Sequence, residues 1–113
     1  FRVYYAGASV QKYQNVANDD EVVFATETVT AELNNSTGTD LSATFKYYAS
    51  GWKTFGSGSA TTLASMELLG RNYAFRVYYA GASVQKYQNV ANDDEVVFAT
   101  TLVTNDLTDC EGN

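Results

Sequence analysis

The chain has 113 residues, 45% of them hydrophobic and 14% aromatic, with net charge −6, one Cys and neither His nor Pro. The lack of His excludes imidazole-based triads and His-ligated metals, and a single Cys excludes an internal disulfide or a Cys-cluster zinc site. Seven Lys and Arg against thirteen Asp and Glu argue against nucleic-acid binding, and no apolar run reaches the roughly 18 residues of a membrane span.

From the first residue the chain announces a repeat. Residues 1–26, FRVYYAGASVQKYQNVANDDEVVFAT, recur unchanged at 75–100, an offset of 74. The offset continues beyond the block: Val29 and Thr30 match Val103 and Thr104, Leu33 matches Leu107, and Gly38 matches Gly112. We read the chain as a window on a tandem array of 74-residue period. Residues 29–102 are one complete repeat, 1–28 the C-terminal part of a preceding repeat, and 103–113 the first strand of a following one. The chain begins on Phe1 with no initiator Met and no signal peptide, as expected of a fragment or a processed chain.

In chain order, the complete period predicts strands at 29–33, 43–48, 52–55, 62–68, 75–79, 83–90 and 95–101. Each is rich in Val, Thr, Tyr or Phe. In 43–48 the alternation places Phe45 and Tyr47 inward and Thr44, Lys46 and Tyr48 outward; in 75–79 it places Phe75, Val77 and Tyr79 on one face. The expected core is Phe45, Tyr47, Leu68, Val77, Tyr79 and Val97. Turn sequences separate the strands at 34–38, 50–51, 56–59, 70–72, 80–82 and 92–94. Seven short strands with frequent turns predict an all-β fold, a small antiparallel two-sheet sandwich.

Several side-chain groups carry candidate chemistry. Outward Tyr48, Tyr78 and Trp52 could form a stacking platform for sugar rings, since each offers a flat apolar face with a polar edge; otherwise Trp52 and most Tyr fill a thin core or pair across strands. Asp93, Asp94 and Glu95 follow Asn92 in one turn and offer hard oxygens to Ca²⁺, although the spacing is not that of an EF-hand and such a run also suits a solvated turn. Asn34 and Asn35 each open an N-x-[ST] sequon. Cys110 stands where the preceding period has Ser36, a candidate for an intermolecular thiol. No Gly-x-Ser-x-Gly elbow or paired-carboxylate motif is present, so neither an enzyme nor a cofactor is expected.

The motifs L-x-x-S-T-G-T-x-L, K-Y-Y-A-S-G-W-K-T-F-G, M-E-L-L-G-R-N-Y-A-F-R-V-Y-Y-A-G and V-V-F-A-T follow one another. In this order the chain resembles the tandem immunoglobulin-like repeats of bacterial surface proteins. These are similar to Cna-B and carboxypeptidase-regulatory-like domains, with a transthyretin-like β-sandwich. The resemblance implies an extracellular, cell-surface structural module of a fibre, stalk or adhesin, with no activity of its own. Its partners would be neighbouring repeats or chains, with glycans as the alternative partner and neither nucleic acid nor membrane insertion. Many Cna-B domains carry an isopeptide bond between a first-strand Lys and a last-strand Asn or Asp beside a Glu. Glu67 matches that Glu, but 29–33 has no Lys and 96–101 has no Asn or Asp. Because 1–26 is identical to 75–100, it can compete for the same place beside 29–69. Strand exchange between chains, or a filament, is the expected outcome.

Overall fold

A computed structural model describes residues 1–102 of the chain. These residues contain ten strands and no helix. The strands are β1 (Arg2–Tyr5), β2 (Ala8–Gln11), β3 (Thr26–Asn34), β4 (Asp40–Leu41), β5 (Thr44–Tyr48), β6 (Trp52–Thr54), β7 (Ala64–Leu69), β8 (Asn72–Tyr79), β9 (Ala82–Asn89) and β10 (Glu95–Ala99). They form a β1–β2 hairpin and two four-stranded sheets. In one sheet β3 is central, paired with β4, β7 and β10; the other runs β6–β5–β8–β9.

The two larger sheets share one core. Val29, Ala31 and Leu33 of β3, Ala64 and Leu68 of β7, and Val96 and Phe98 of β10 meet Phe45 and Tyr47 of β5 and Tyr73, Phe75 and Val77 of β8. Alternation along each strand produces this, because a period of two sends every second side chain to the same face. The aromatic rings interlock edge-on, as their quadrupoles favour. Tyr47 and Phe55 lie 6.1 Å apart between ring centroids, Tyr47 and Tyr73 5.9 Å, and Phe55 and Phe75 5.8 Å. The character is all-β and sandwich-like.

Three expectations need correction. The pairing is not wholly antiparallel, since β10 runs parallel to β3, with Glu95 opposite Thr30 and Ala99 opposite Asn34. The inward residues of β10 are Val96 and Phe98, while Val97 is 36% exposed. Two successive valines leave the phase of the alternation open, and the pairing with β3 fixes it. Tyr79 keeps the phase of Phe75 and Val77 but is 40% exposed. It lies one residue beyond the last β5 pair, Thr44 opposite Tyr78, so no β5 side chain covers it.

The two copies of the identical block build the same local structure. Arg2 pairs with Gln11 and Tyr5 with Ala8 in the first, and Arg76 pairs with Gln85 and Tyr79 with Ala82 in the second. Both hairpins turn on an Ala-Gly pair with positive φ at each residue: +52° and +82° at Ala6 and Gly7, +52° and +79° at Ala80 and Gly81. Two consecutive positive φ values make the type I′ turn, whose twist matches that of the flanking strands. The following loop also repeats. The Asn15 and Asn89 side chains accept from the amides of Ala17 and Ala91, and the Asp19 and Asp93 side chains from those of Glu21 and Glu95. Within this chain, the place beside β5 belongs to β8, and β1 pairs only with β2.

Tyr73 closes the turn between β7 and β8. Its hydroxyl donates to the Leu69 carbonyl at 3.0 Å, across Gly70. Burial is the main cause that pushes its pKa up, to about 12. The raised value means that the native state holds this proton more tightly than the unfolded chain. The resulting stability is complete below pH 10 and is lost as pH rises towards 12. Tyr73→Phe is expected to cost about 1 kcal/mol at pH 8 and to lose less stability than the parent between pH 10 and 12. Urea midpoints at pH 8 and pH 11 check this; a gap between the two proteins that fails to narrow at pH 11 contradicts it.

Candidate functional site

The outer face of the β6–β5–β8–β9 sheet gathers the exposed aromatics. Cross-strand pairing sets Trp52 opposite Tyr48, Tyr48 opposite Ala74, and Ala74 opposite Tyr87 in one row. The next row holds Thr54, Lys46, Arg76 and Gln85. Tyr78 lies in a third row, opposite Thr44 and Ser83. The structure therefore brings Tyr48, Trp52 and Tyr78 to one face, with Tyr78 separated from the other two by Arg76.

The geometry is not a flat strip. The Tyr48 and Trp52 rings meet edge-on, with centroids 5.4 Å apart and planes at 78°. Trp52 is half-buried, and the Arg76 guanidinium carbon sits 4.1 Å from its ring centroid. Such a stack draws on the negative face of the indole. Arg76 is held there by donation to Gln85 Oε1 at 2.5 Å and to the Tyr78 hydroxyl at 3.4 Å. Gln85 in turn donates to the Tyr87 hydroxyl at 2.8 Å. A sugar ring stacking on this face of Trp52 would have to displace the arginine.

A better-formed concavity lies at the end of this face, where the β1–β2 hairpin packs against the two larger sheets. Tyr4, Tyr48 and Tyr87 line an open cleft of about 480 Å³, with Ser50, Arg71 and Asn72 among its polar groups. The three tyrosines are 76%, 48% and 75% exposed. The sequence reading missed Tyr4, Tyr87 and Arg71 as members of one site. Alternation could have placed Tyr87 outward, but no sequence signal says that Tyr4, 83 residues away, lies beside it.

The hairpin is anchored through its backbone. The Tyr47 hydroxyl donates to the Ala6 carbonyl at 2.7 Å, Ser50 Oγ to the Gly7 carbonyl at 3.1 Å, and Arg71 Nη1 to the Ser9 carbonyl at 3.0 Å. Burial first, and then the neighbouring Tyr5, hold the Tyr47 hydroxyl above its ordinary pKa, so it acts here as a neutral donor.

The remaining candidates fall in different places. Asp93 turns its side chain onto the Glu95 amide. Among the described residues no three acidic or Cys side chains converge on a point, Asp93, Asp94 and Glu95 included. Glu67 lies on the exposed side of β7, where the Thr26 and Thr28 hydroxyls donate to its carboxylate and hold its pKa below the usual range. Asn35 Oδ1 accepts from the Thr37 and Thr39 amides, which ties this sequon into its turn. The neighbouring Asn34 is half-buried and receives the Thr100 amide on its carbonyl at 2.8 Å. Cys110 lies outside the described residues. Comparison of the chain with family models, curated proteins and solved structures finds no match.

Proposed function

We propose that the protein is a structural repeat module of an extracellular fibre, stalk or adhesin, built from immunoglobulin-like or transthyretin-like sandwiches of the Cna-B type. The observation that carries this reading is the junction between the two copies. The first copy of the repeated block ends at Thr26, which is also the first residue of β3. In sequence, one unit therefore follows the next with no residue inserted between them. Support for the sandwich type comes from two sheets facing one core and from the Tyr73 hydroxyl bonded back to Leu69, the arrangement of the tyrosine corner in immunoglobulin-like sandwiches. Neighbouring units would associate through their β-strands and hairpins, within one chain or between chains.

A module of this kind supplies length. Each unit holds a terminal domain farther from the surface, and a fixed junction keeps the array extended. Chains carrying one, two and three copies of 29–102 after residues 1–28 are expected to gain the same increment in maximum dimension per copy. Small-angle scattering measures this. A maximum dimension that stops growing with copy number would refute the spacer role.

The cleft lined by Tyr4, Tyr48 and Tyr87 favours a second reading, a carbohydrate-binding module with exposed aromatics. Tyrosines around an open cleft with polar groups between them are the elements of sugar recognition. A glycan panel discriminates between the readings on the same samples. Binding that is abolished by Tyr48→Ala, with folding intact, would establish the second reading, and a blank panel leaves the spacer role alone.

A further inference from the structure

We propose that the hairpin tip Ala80-Gly81-Ala82 is a plug that seats on the end of the following copy of the 29–102 unit. The inference rests on the tandem-array reading above and names its interface. Its basis is a comparison the molecule makes within itself. Residues 6–10 and 80–84 have one sequence and one backbone, but only the first set lies against a complete unit. Ala8 is 5% exposed and belongs to the core cluster, whereas Ala82 is exposed. Ala6 packs partly buried against that core, whereas Ala80 is exposed. Val10 is half-buried and Val84 is 58% exposed.

The socket grips the backbone of this hairpin. Tyr47, Ser50 and Arg71 each donate to a different backbone carbonyl, those of Ala6, Gly7 and Ser9. A type I′ turn presents its carbonyls outward, so a set of side-chain donors can grip it without reading its side chains. The side chains need only be small. A Cβ built on Gly7 would press on the movable Lys53 side chain and come within 3.1 Å of the Ala49 carbonyl oxygen, while one on Gly81 meets nothing within 4 Å. The two glycines share nearly the same φ, so the difference comes from the seat and not from the backbone.

The downstream end also shows what remains to be covered. Leu33, Tyr79, Ala82, Val84 and Phe98 line an apolar groove beside the second tip. The occupant proposed is a second copy of the unit, because a copy of this unit is what buries Ala8 and half-buries Val10, the counterparts of Ala82 and Val84 in the first hairpin. Together with the chain connection itself, the seated tip gives each junction two points of attachment. Two points oppose rotation about the chain, which is the property a stiff stalk needs.

Single thiols test the proposal in the full chain with Cys110→Ser. Ala8→Cys and Ala82→Cys are compared by their rates of reaction with a small maleimide, and Ser9→Cys with Ser83→Cys repeats the comparison with a near-isosteric side chain. The thiol at 82 is expected to react at least ten-fold faster than that at 8. Ser50→Ala with Arg71→Ala should speed position 8 and leave 82 unchanged. In a chain extended by a second copy of 29–102 after residue 102, position 82 should slow to the rate of position 8. Equal rates at 8 and 82 in the parent chain would overturn the seat. A fast thiol at 82 in an extended chain whose unfolding enthalpy has doubled would overturn the plug and leave the array reading intact. An extended chain whose enthalpy does not double removes both.

Discussion

Val96→Asp is expected to unfold the unit, and Val97→Asp to leave it folded. The two residues are adjacent and chemically identical, so only the facing decides. Val96 is fully buried between the sheets, opposite Ala31 in the parallel pairing with β3. Apart from tyrosines whose hydroxyls already donate to the Ala6 and Leu69 carbonyls, no buried polar or charged side chain stands among the described residues, so an aspartate there finds no partner. An unpaired carboxylate in such a place costs at least about 4 kcal/mol, which is most of the stability of a small domain. Val97 points away from the core and its replacement costs well under about 1 kcal/mol. Far-ultraviolet circular dichroism and urea unfolding of the two variants check the expectation. Equal loss in both would mean that β10 has a different register. Val77→Asp, on the facing sheet, should behave like Val96→Asp, because Val77 is 2% exposed.

Phe75→Ala is expected to cost about 3–5 kcal/mol, and Phe1→Ala almost nothing. These are the same residue of the repeat, 74 positions apart. Phe75 is 1% exposed, with its ring centroid 5.8 Å from that of Phe55 and 5.9 Å from that of Tyr73. Truncation there leaves a cavity among rigid rings that cannot close over it. Phe1 is 59% exposed and pairs with Lys12 only through its backbone, the Lys12 amide donating to its carbonyl at 2.8 Å. Calorimetry of the two variants measures the contrast. A loss at Phe1 comparable to that at Phe75 would show that the first hairpin contributes to a core of its own.

The candidate site was legible only in pieces. Outward placement of Tyr48 follows from the alternation of 44–48, whereas that of Trp52 depends on its pairing with Tyr48. The position of Arg76 over Trp52 does not follow, because it depends on which strand lies next to β5 and in what register. The cleft between Tyr4 and Tyr87 is farther out of reach, since it exists only where the first hairpin meets the end of the β6–β5–β8–β9 sheet.

The identical blocks separate what the sequence by itself determined from what the tertiary structure decided. Both copies have the same strand pairs, the same Ala-Gly turn and the same Asn and Asp side-chain bonds to nearby amides. All of these are contacts between residues close in the chain, and the local sequence is enough to specify them. The blocks then part. Residues 95–99 form β10 because β3 lies beside them, whereas the identical 21–25 form no strand. Val77 is buried and its copy Val3 is only half-buried, because β5 covers one and not the other. Strand pairing and burial need a partner brought from elsewhere in the chain. The residues themselves carry no record of whether that partner is there, so these features belong to the assembled fold alone.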